Sequence, residues 1–361
     1  MTISCIALLG RKDEPTDAVD EYCSYLAAAL QTHDIQLEIH RVSWEIQGWP
    51  DALQTLGQKA IKWRDMWVLV QYTALAWSAR GFPQRVLGAL KILKSAGVRV
   101  GIVFHDVEPY PGSRLIDSVR RFIQIRIMRR AFDLADLAIF TVPPEKLSWL
   151  QAVPSRAAFA PVGPNLPIPS TPLEPSPRDP VPTIGVFSIT GGESGARETR
   201  VIIAAIRHVS KEIGKLRLTV FGRCAELRET VLRDGLRDLP VDLSVEGIVD
   251  PARVVQKLSA CDVLLFIRGP ISSRRSSAIA GIACGLPVIA YSGSETAAPI
   301  TDAGVVLVSP DEPEDLNVAL VRVLSDATSR MDLAARSRAA YQTHFSWPAI
   351  AARFSAFLNT R

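Results

Sequence analysis

Short apolar runs alternate with segments of helical period along the first half of the chain. Ile3–Leu9, Leu37–Val42, Met66–Tyr72, Val98–Phe104 and Leu137–Thr141 are brief and rich in β-branched or aromatic residues. Each predicts a strand, and the segments between them predict helices. Alternation of this kind predicts a parallel sheet covered by helices. It restarts at Thr183: Thr183–Phe187, Leu216–Phe221, Val241–Val245, Val263–Ile267, Pro287–Ala290 and Val305–Val308 predict a second parallel sheet. Between the halves, Leu166–Pro182 is so dense in proline that neither helix nor central strand can persist, which marks a linker.

The expected architecture is therefore α/β, with two Rossmann-like doubly wound domains. The first spans residues 1–165, the linker 166–182 and the second domain 183–345; a terminal helix, 346–361, is long enough to return to the first domain. In such sheets ligands bind beyond the carboxyl ends of the strands, where the winding changes direction. Two facing sheets would make a cleft walled by strand-end loops, so candidate chemistry is sought immediately after each strand.

Composition excludes several classes. The 361 residues exceed one hydrophobic core, and 48% hydrophobic with 22% charged residues describes a globular chain. Cys5, Cys23, Cys224, Cys261 and Cys284 are odd in number and scattered, so they form no disulfide or zinc framework. No D-x-D pattern is present. Net charge is only +4, which does not suggest nucleic acid. No apolar run reaches the roughly 20 residues of a membrane span, and the start lacks a signal-peptide pattern, so a cytoplasmic protein is expected. The exception to balanced charge is Arg114–Arg130. There Arg114, Arg120, Arg121, Arg126, Arg129 and Arg130 interleave with Leu115, Ile116, Val119, Phe122, Ile123, Ile127 and Met128. It reads either as a helix with a solvated basic face or as one lying on the inner face of an anionic membrane.

In the first domain, Gly10 and Arg11 follow the first strand and lead to a helix that Thr16 or Asp17 can cap; they either present that helix start to an anion or simply make the turn. Tyr72 and Trp77 follow the third strand and offer aromatic faces to a sugar, whereas Trp63 and Trp67 read as core. His105 and Asp106 end the fourth strand, where acid–base chemistry belongs; the plainer reading of His105 is a hydrogen-bonded loop residue.

In the second domain, Gly191 and Gly192 precede a helix carrying Arg197, an arrangement that can present amides and a guanidinium to a diphosphate. It is neither a Walker loop nor a dinucleotide fingerprint. Gly222 and Arg223 follow the next strand. The loop Ser273-Arg274-Arg275-Ser276-Ser277 opens a small-residue helix that Gly285 ends, with Pro287 leading into a strand.

Ala283-Cys284-Gly285-Leu286-Pro287-Val288-Ile289-Ala290 resembles the A-C-G-x-P-V-[VI]-A signature of the retaining GT-B glycosyltransferases of family 4. Further echoes are Ala160–Asn165, Val245-Glu246-Gly247, Ala260–Val263 and Phe345-Ser346-Trp347. The resemblance implies a nucleotide-diphosphate sugar held by the second domain, a saccharide or lipid-linked acceptor in the first, and metal-independent transfer with no cofactor. It implies donor contacts from Gly191, Gly192, Arg197, Gly222, Arg223 and Ser273–Ser277, acceptor contacts from Gly10, Arg11, Tyr72 and Trp77, and a catalytic role for His105 with Asp106. Two glutamates usual in the family fall on Ser272 and Ala280 and are absent, so either another group, with Glu295 the candidate, grips the ribose or donor binding is altered.

Three functions follow: a transferase building a surface polysaccharide or glycolipid, a catalytically degenerate scaffold subunit, and an epimerase or hydrolase. The last needs several carboxylates, which the second-domain loops do not offer. The transferase reading requires the arginines of the second half to be open to a pyrophosphate rather than turned into salt bridges.

Overall fold

A computed structural model describes residues 3–110, 112, 114–169 and 181–359. The linker expected at 166–182 lies largely outside them. The chain divides into two compact units, residues 1–162 with 347–361 and residues 163–346.

The first unit holds β1 (Ile3–Leu9), α1 (Ala18–Leu30), β2 (Ile35–Arg41), α2 (Trp44–Gln47), α3 (Trp49–Lys62), β3 (Trp67–Tyr72), α4 (Arg85–Ser95), β4 (Arg99–Phe104), α5 (Leu115–Leu134), β5 (Leu137–Phe140) and β6 (Ala157–Phe159). All described pairings are parallel, in the order β2-β1-β3-β4-β5-β6. The winding reverses between β1 and β3. β3 is buried at every position, as expected of a central strand covered on both faces. Phe104 and Phe140 pack in the core on one face of the sheet with Tyr72 and Trp77, while Trp67 is buried on the other face.

The second unit holds β7 (Thr183–Phe187), α6 (Gly192–Ile213), β8 (Leu216–Phe221), α7 (Glu229–Leu236), β9 (Val241–Glu246), α8 (Pro251–Ser259), β10 (Val263–Phe266), α9 (Ser276–Ala283), β11 (Val288–Tyr291), β12 (Val305–Val308), α10 (Pro313–Ser325) and α11 (Ala327–Ala340). Its sheet, again parallel, runs β12-β11-β10-β7-β8-β9, with the reversal between β7 and β10. Gly285 ends α9 as expected, in the left-handed region at φ +72°. The Leu286 amide reaches back to the Gly281 carbonyl at 2.9 Å, which closes a Schellman-type cap.

The last helix, α12 (Trp347–Asn359), belongs to the first unit. Trp347 stacks on Tyr25 with centroids 5.4 Å apart, and the Trp67 indole N–H donates to the Leu358 carbonyl at 3.3 Å. The expected return of the terminal helix is thus built from aromatic contacts.

Candidate functional sites at the strand ends

In the first unit, a pocket of about 240 Å³ opens at the switch between β1 and β3. Gly10, Arg11, Asp13, Arg41, Gln71, Thr73 and Asp106 are among its walls, so it brings together three of the expected residues, Gly10, Arg11 and Asp106. Asp17 caps α1, accepting from the Val19 and Asp20 amides at 3.2 and 3.1 Å. Charge around the pocket is largely self-compensated. Arg41 pairs with Asp17 and Asp20 at 3.1 Å each, and Arg11 reaches Glu45 at 3.3 Å. Gly10 is explained by the loop above it, because a Cβ there would lie 2.2 Å from the Ala76 carbonyl oxygen. The close approach permitted by this glycine is to the protein's own backbone.

Tyr72 and Trp77 correct the aromatic expectation. Both are fully buried: the Trp77 indole N–H donates to the Gln71 carbonyl at 2.9 Å, and Tyr72 packs on Phe104. Neither offers a face to a ligand in this structure. The loop after β3 folds inward and adds Trp77 to the core.

His105 is partly buried, with its ring edge-on to Tyr22 at 5.0 Å. Its Nε2 lies 2.8 Å from Gln71 Oε1, while the Gln71 amide nitrogen donates to the Leu69 carbonyl at 3.1 Å. That network assigns the hydrogen to Nε2 and leaves Nδ1 as an acceptor. Burial pulls the imidazole down to about 4, with Asp17 opposing only weakly. At neutral pH the ring is uncharged, so it can accept a proton but has none in excess to donate. Asp106 accepts from the Ala74 amide at 2.8 Å.

In the second unit, the β7–α6 loop is held tightly. Ser188 adopts φ +67°, its amide donates to the Phe221 carbonyl at 2.7 Å, and the Ile189 amide to the Arg223 carbonyl at 2.9 Å. The Thr190 amide donates to Glu198 Oε2 at 2.8 Å. These amides are therefore spent within the protein. Open donors begin one step later: Gly191, the residue before α6, makes no side-chain cap, which leaves the first-turn amides for solvent or ligand. This loop needs two of its glycines: a Cβ at Gly195 would fall 1.7 Å from the Thr190 carbonyl oxygen, and Gly192 adopts φ +64°, whereas Gly191 has room for a side chain.

Arginines surround this helix start. Arg228 donates to the Gly192 carbonyl at 2.6 Å, Arg197 is exposed, and Arg223 follows the left-handed Gly222. Sequence inspection missed Arg268. It stands directly beyond β10, half-buried, with no partner on its Nε among the described residues. Burial lowers its pKa, Glu198 opposes that shift, and neighbouring Arg223 adds to it. The rule of looking just past each strand would have found it. An arginine kept half out of water, with a carboxylate nearby but none in direct ion-pair contact among the described residues, is electrostatically suited to an incoming anion.

Arg274 does the opposite. Its Nε and Nη2 donate to the two carboxylate oxygens of Glu295 at 2.7 and 2.9 Å, and Ser272 Oγ adds a bond at 3.1 Å. Burial pushes the Glu295 carboxyl up, but the hydrogen bond and charge of Arg274, with Arg275 and Ser272, outweigh it and hold the group below its ordinary value. The expectation of an open Arg274, and of a Glu295 free to grip a ribose, is corrected: each satisfies the other. Ser273 is buried, Arg275, Ser276 and Ser277 are half-buried at the start of α9, and Ala280 is fully buried.

Residues 188–326 match the family model described as "Glycosyl transferases group 1". Comparison with curated proteins gives no match. Among solved structures, the chain is similar to a glycosyltransferase from Rickettsia africae at 12% identity and TM-score 0.69, covering 99% of this chain and 98% of that one. It is similar to HepE of Anabaena in complex with UDP and glucose at 15% identity and TM-score 0.67, covering 99% and 100%. A third likeness is to sucrose-phosphate synthase from Thermosynechococcus elongatus, at 15% identity and TM-score 0.69, covering 99% and 98%. At such identities the likeness establishes the fold, which is GT-B. The segment similar to the group 1 glycosyltransferase model lies within the second unit.

Proposed function

We propose that the chain transfers a sugar, with retention at the anomeric carbon, from a nucleotide-diphosphate sugar held by the second unit to a saccharide or lipid-linked acceptor held by the first. The observation that carries this reading is the concentration of donors at the β7–α6 turn: uncapped amides of α6, with exposed Arg197 and with Arg268, whose Nε has no partner among the described residues, around them. Departure of a nucleoside diphosphate builds negative charge on phosphate oxygens while the sugar gains oxocarbenium character. Fixed cations and amide dipoles at the phosphate stabilise that charge more in the transition state than in the ground state. On this reading Arg268 replaces Arg274 as the principal phosphate ligand, because Arg274 would first have to give up Glu295. His105 and Asp106 are assigned to the reacting end, with the neutral imidazole as an acceptor.

The test is titration of the full chain with uridine, guanosine and thymidine diphosphates, followed by turnover with the matching nucleotide-sugars. The Anabaena protein was solved with UDP and glucose, which makes uridine diphosphate the first choice. One diphosphate should bind well above the others, and its sugar should be transferred or slowly hydrolysed with retention. Binding with neither transfer nor hydrolysis would favour a scaffold subunit, a reading motivated by Ser272 and Ala280 standing where the related signature has glutamates.

A further inference from the structure

The second half of helix α5 packs Ile127, Met128, Ala131 and Phe132 into the core, but its first half reverses the usual arrangement. Its inward face carries Asp117 and Gln124, both buried and both satisfied: Asp117 by Arg120 and by the Arg114 amide at 3.1 Å, Gln124 by the Gly81 carbonyl and the Tyr110 amide at 2.8 Å each. Its opposite face carries large apolar side chains in water: Leu115 is 90% exposed, Phe122 61%, and Ile116 and Val119 51% each. At 100° per residue Leu115, Val119 and Phe122 fall on one stripe, and Arg126, Arg129 and Arg130 continue it over the next turns. A soluble helix normally turns its polar side outward, so four adjoining exposed apolar residues mark an interaction surface.

The charge around the stripe selects the partner. Arg121, Arg126, Arg129 and Arg130 are exposed and form no ion pair among the described residues; Arg129 donates to the Trp149 carbonyl, and Arg126 lies over the Phe122 ring. Of the carboxylates of α5, Asp117 is buried against Arg120, and Asp133, which is exposed on the same stripe, is paired with Arg156 at 3.4 Å. Arg120, grouped in the sequence with this basic set, instead turns back onto Asp117, the Arg80 carbonyl and the Tyr110 ring. What remains outside is apolar anchors bordered by uncompensated guanidinium groups. No helix of the described residues is long and apolar enough to cross a membrane. We propose that this face of α5 docks flat on an anionic lipid surface, with Leu115, Val119 and Phe122 entering the headgroup boundary and the arginines meeting lipid phosphates.

Co-sedimentation of the full chain with vesicles tests this without requiring turnover. Vesicles of phosphatidylcholine with one third phosphatidylglycerol should bind the protein at low salt, and pure phosphatidylcholine should bind it far less. Arg126→Gln with Arg130→Gln should lower partitioning about 30-fold, from the contribution of each basic residue near an anionic surface. Leu115→Ser with Phe122→Ser should lower it at least roughly 10-fold, from loss of the buried apolar area. All four positions are exposed, and an unchanged melting temperature confirms that each variant folds. Binding equal on both vesicle types, or unmoved by either pair of changes, would overturn the proposal. So would a concentration-dependent dimer abolished by Phe122→Ser without any vesicle binding, which would assign the face to a second copy of the chain.

Discussion

The two units share one architecture and treat charge in opposite ways. At the β1–β3 switch the cations are answered locally, Arg41 by Asp17 and Asp20 and Arg11 by Glu45. At the β7–β10 switch, Arg268 and Arg197 form no ion pair among the described residues, and the start of α6 is uncapped. A sheet of this kind fixes where a ligand sits, but the residual charge at the switch decides what ligand sits there. A compensated pocket suits a neutral, hydroxyl-rich molecule; an uncompensated one suits a phosphate. Within the second unit the same contrast recurs between Arg268, which is open, and Arg274, which is closed by Glu295.

The largest expected effect lies at that closed pair. Glu295→Ala leaves the Arg274 guanidinium unmatched in a mostly buried place, the two side chains being 13% and 19% exposed, and should cost about 3 kcal/mol of stability in denaturant unfolding. A smaller loss would mean that Arg274 relaxes into solvent, and nucleotide affinity would then be expected to rise.

Next come the two strand-end glycines. Gly195→Val and Gly10→Val each drive a side chain into a neighbouring carbonyl and should cost about 2 kcal/mol. Only Gly195→Val should also abolish nucleotide binding; loss of binding in both would erase the distinction between the units.

The effects that appear only in acid come last, being absent at neutral pH. Glu295 has its pKa depressed in the fold, so its contribution is present above the ordinary value of 4.5 and lost as pH falls through the lower folded value. His105 is also depressed, to about 4 from 6.5, and here the unfolded chain takes up the proton first. Its contribution is complete above pH 6.5 and lost between 6.5 and 4. His105→Gln should flatten the stability curve in that upper window, and Glu295→Gln only below it. Melting curves across the range would separate them.

Much of this was legible in the sequence. Ile3–Leu9, Thr183–Phe187, Leu216–Phe221 and Val305–Val308 form strands with the bounds their apolar runs imply; for β1 and β7 burial on both faces writes a continuous signal, whereas β12 at the sheet edge is legible from its β-branched residues. β6 was not legible: Ala157–Phe159 is too short to show a period and becomes a strand only by pairing with β5. Gly285 could be read as a helix stop because its effect is local, and the cap could be narrowed to Thr16 or Asp17 for the same reason, Asp17 being the one that caps. The pairing of Arg274 with Glu295 could not, since 21 residues separate them and only the fold brings them together. Trp77 misled because a tryptophan in a loop looks available until the loop folds inward.

The central claim is that the phosphate end of a nucleotide is held by open cations of the second unit, Arg268 above all. Titration of uridine diphosphate into the wild-type chain, Arg268→Ala and Arg11→Ala tests it most directly. Arg268→Ala should weaken binding by about 2 kcal/mol, the size of a lost charge-assisted hydrogen bond, while Arg11→Ala binds as the wild type does. Wild-type affinity in Arg268→Ala, or an equal loss in Arg11→Ala, would contradict the account.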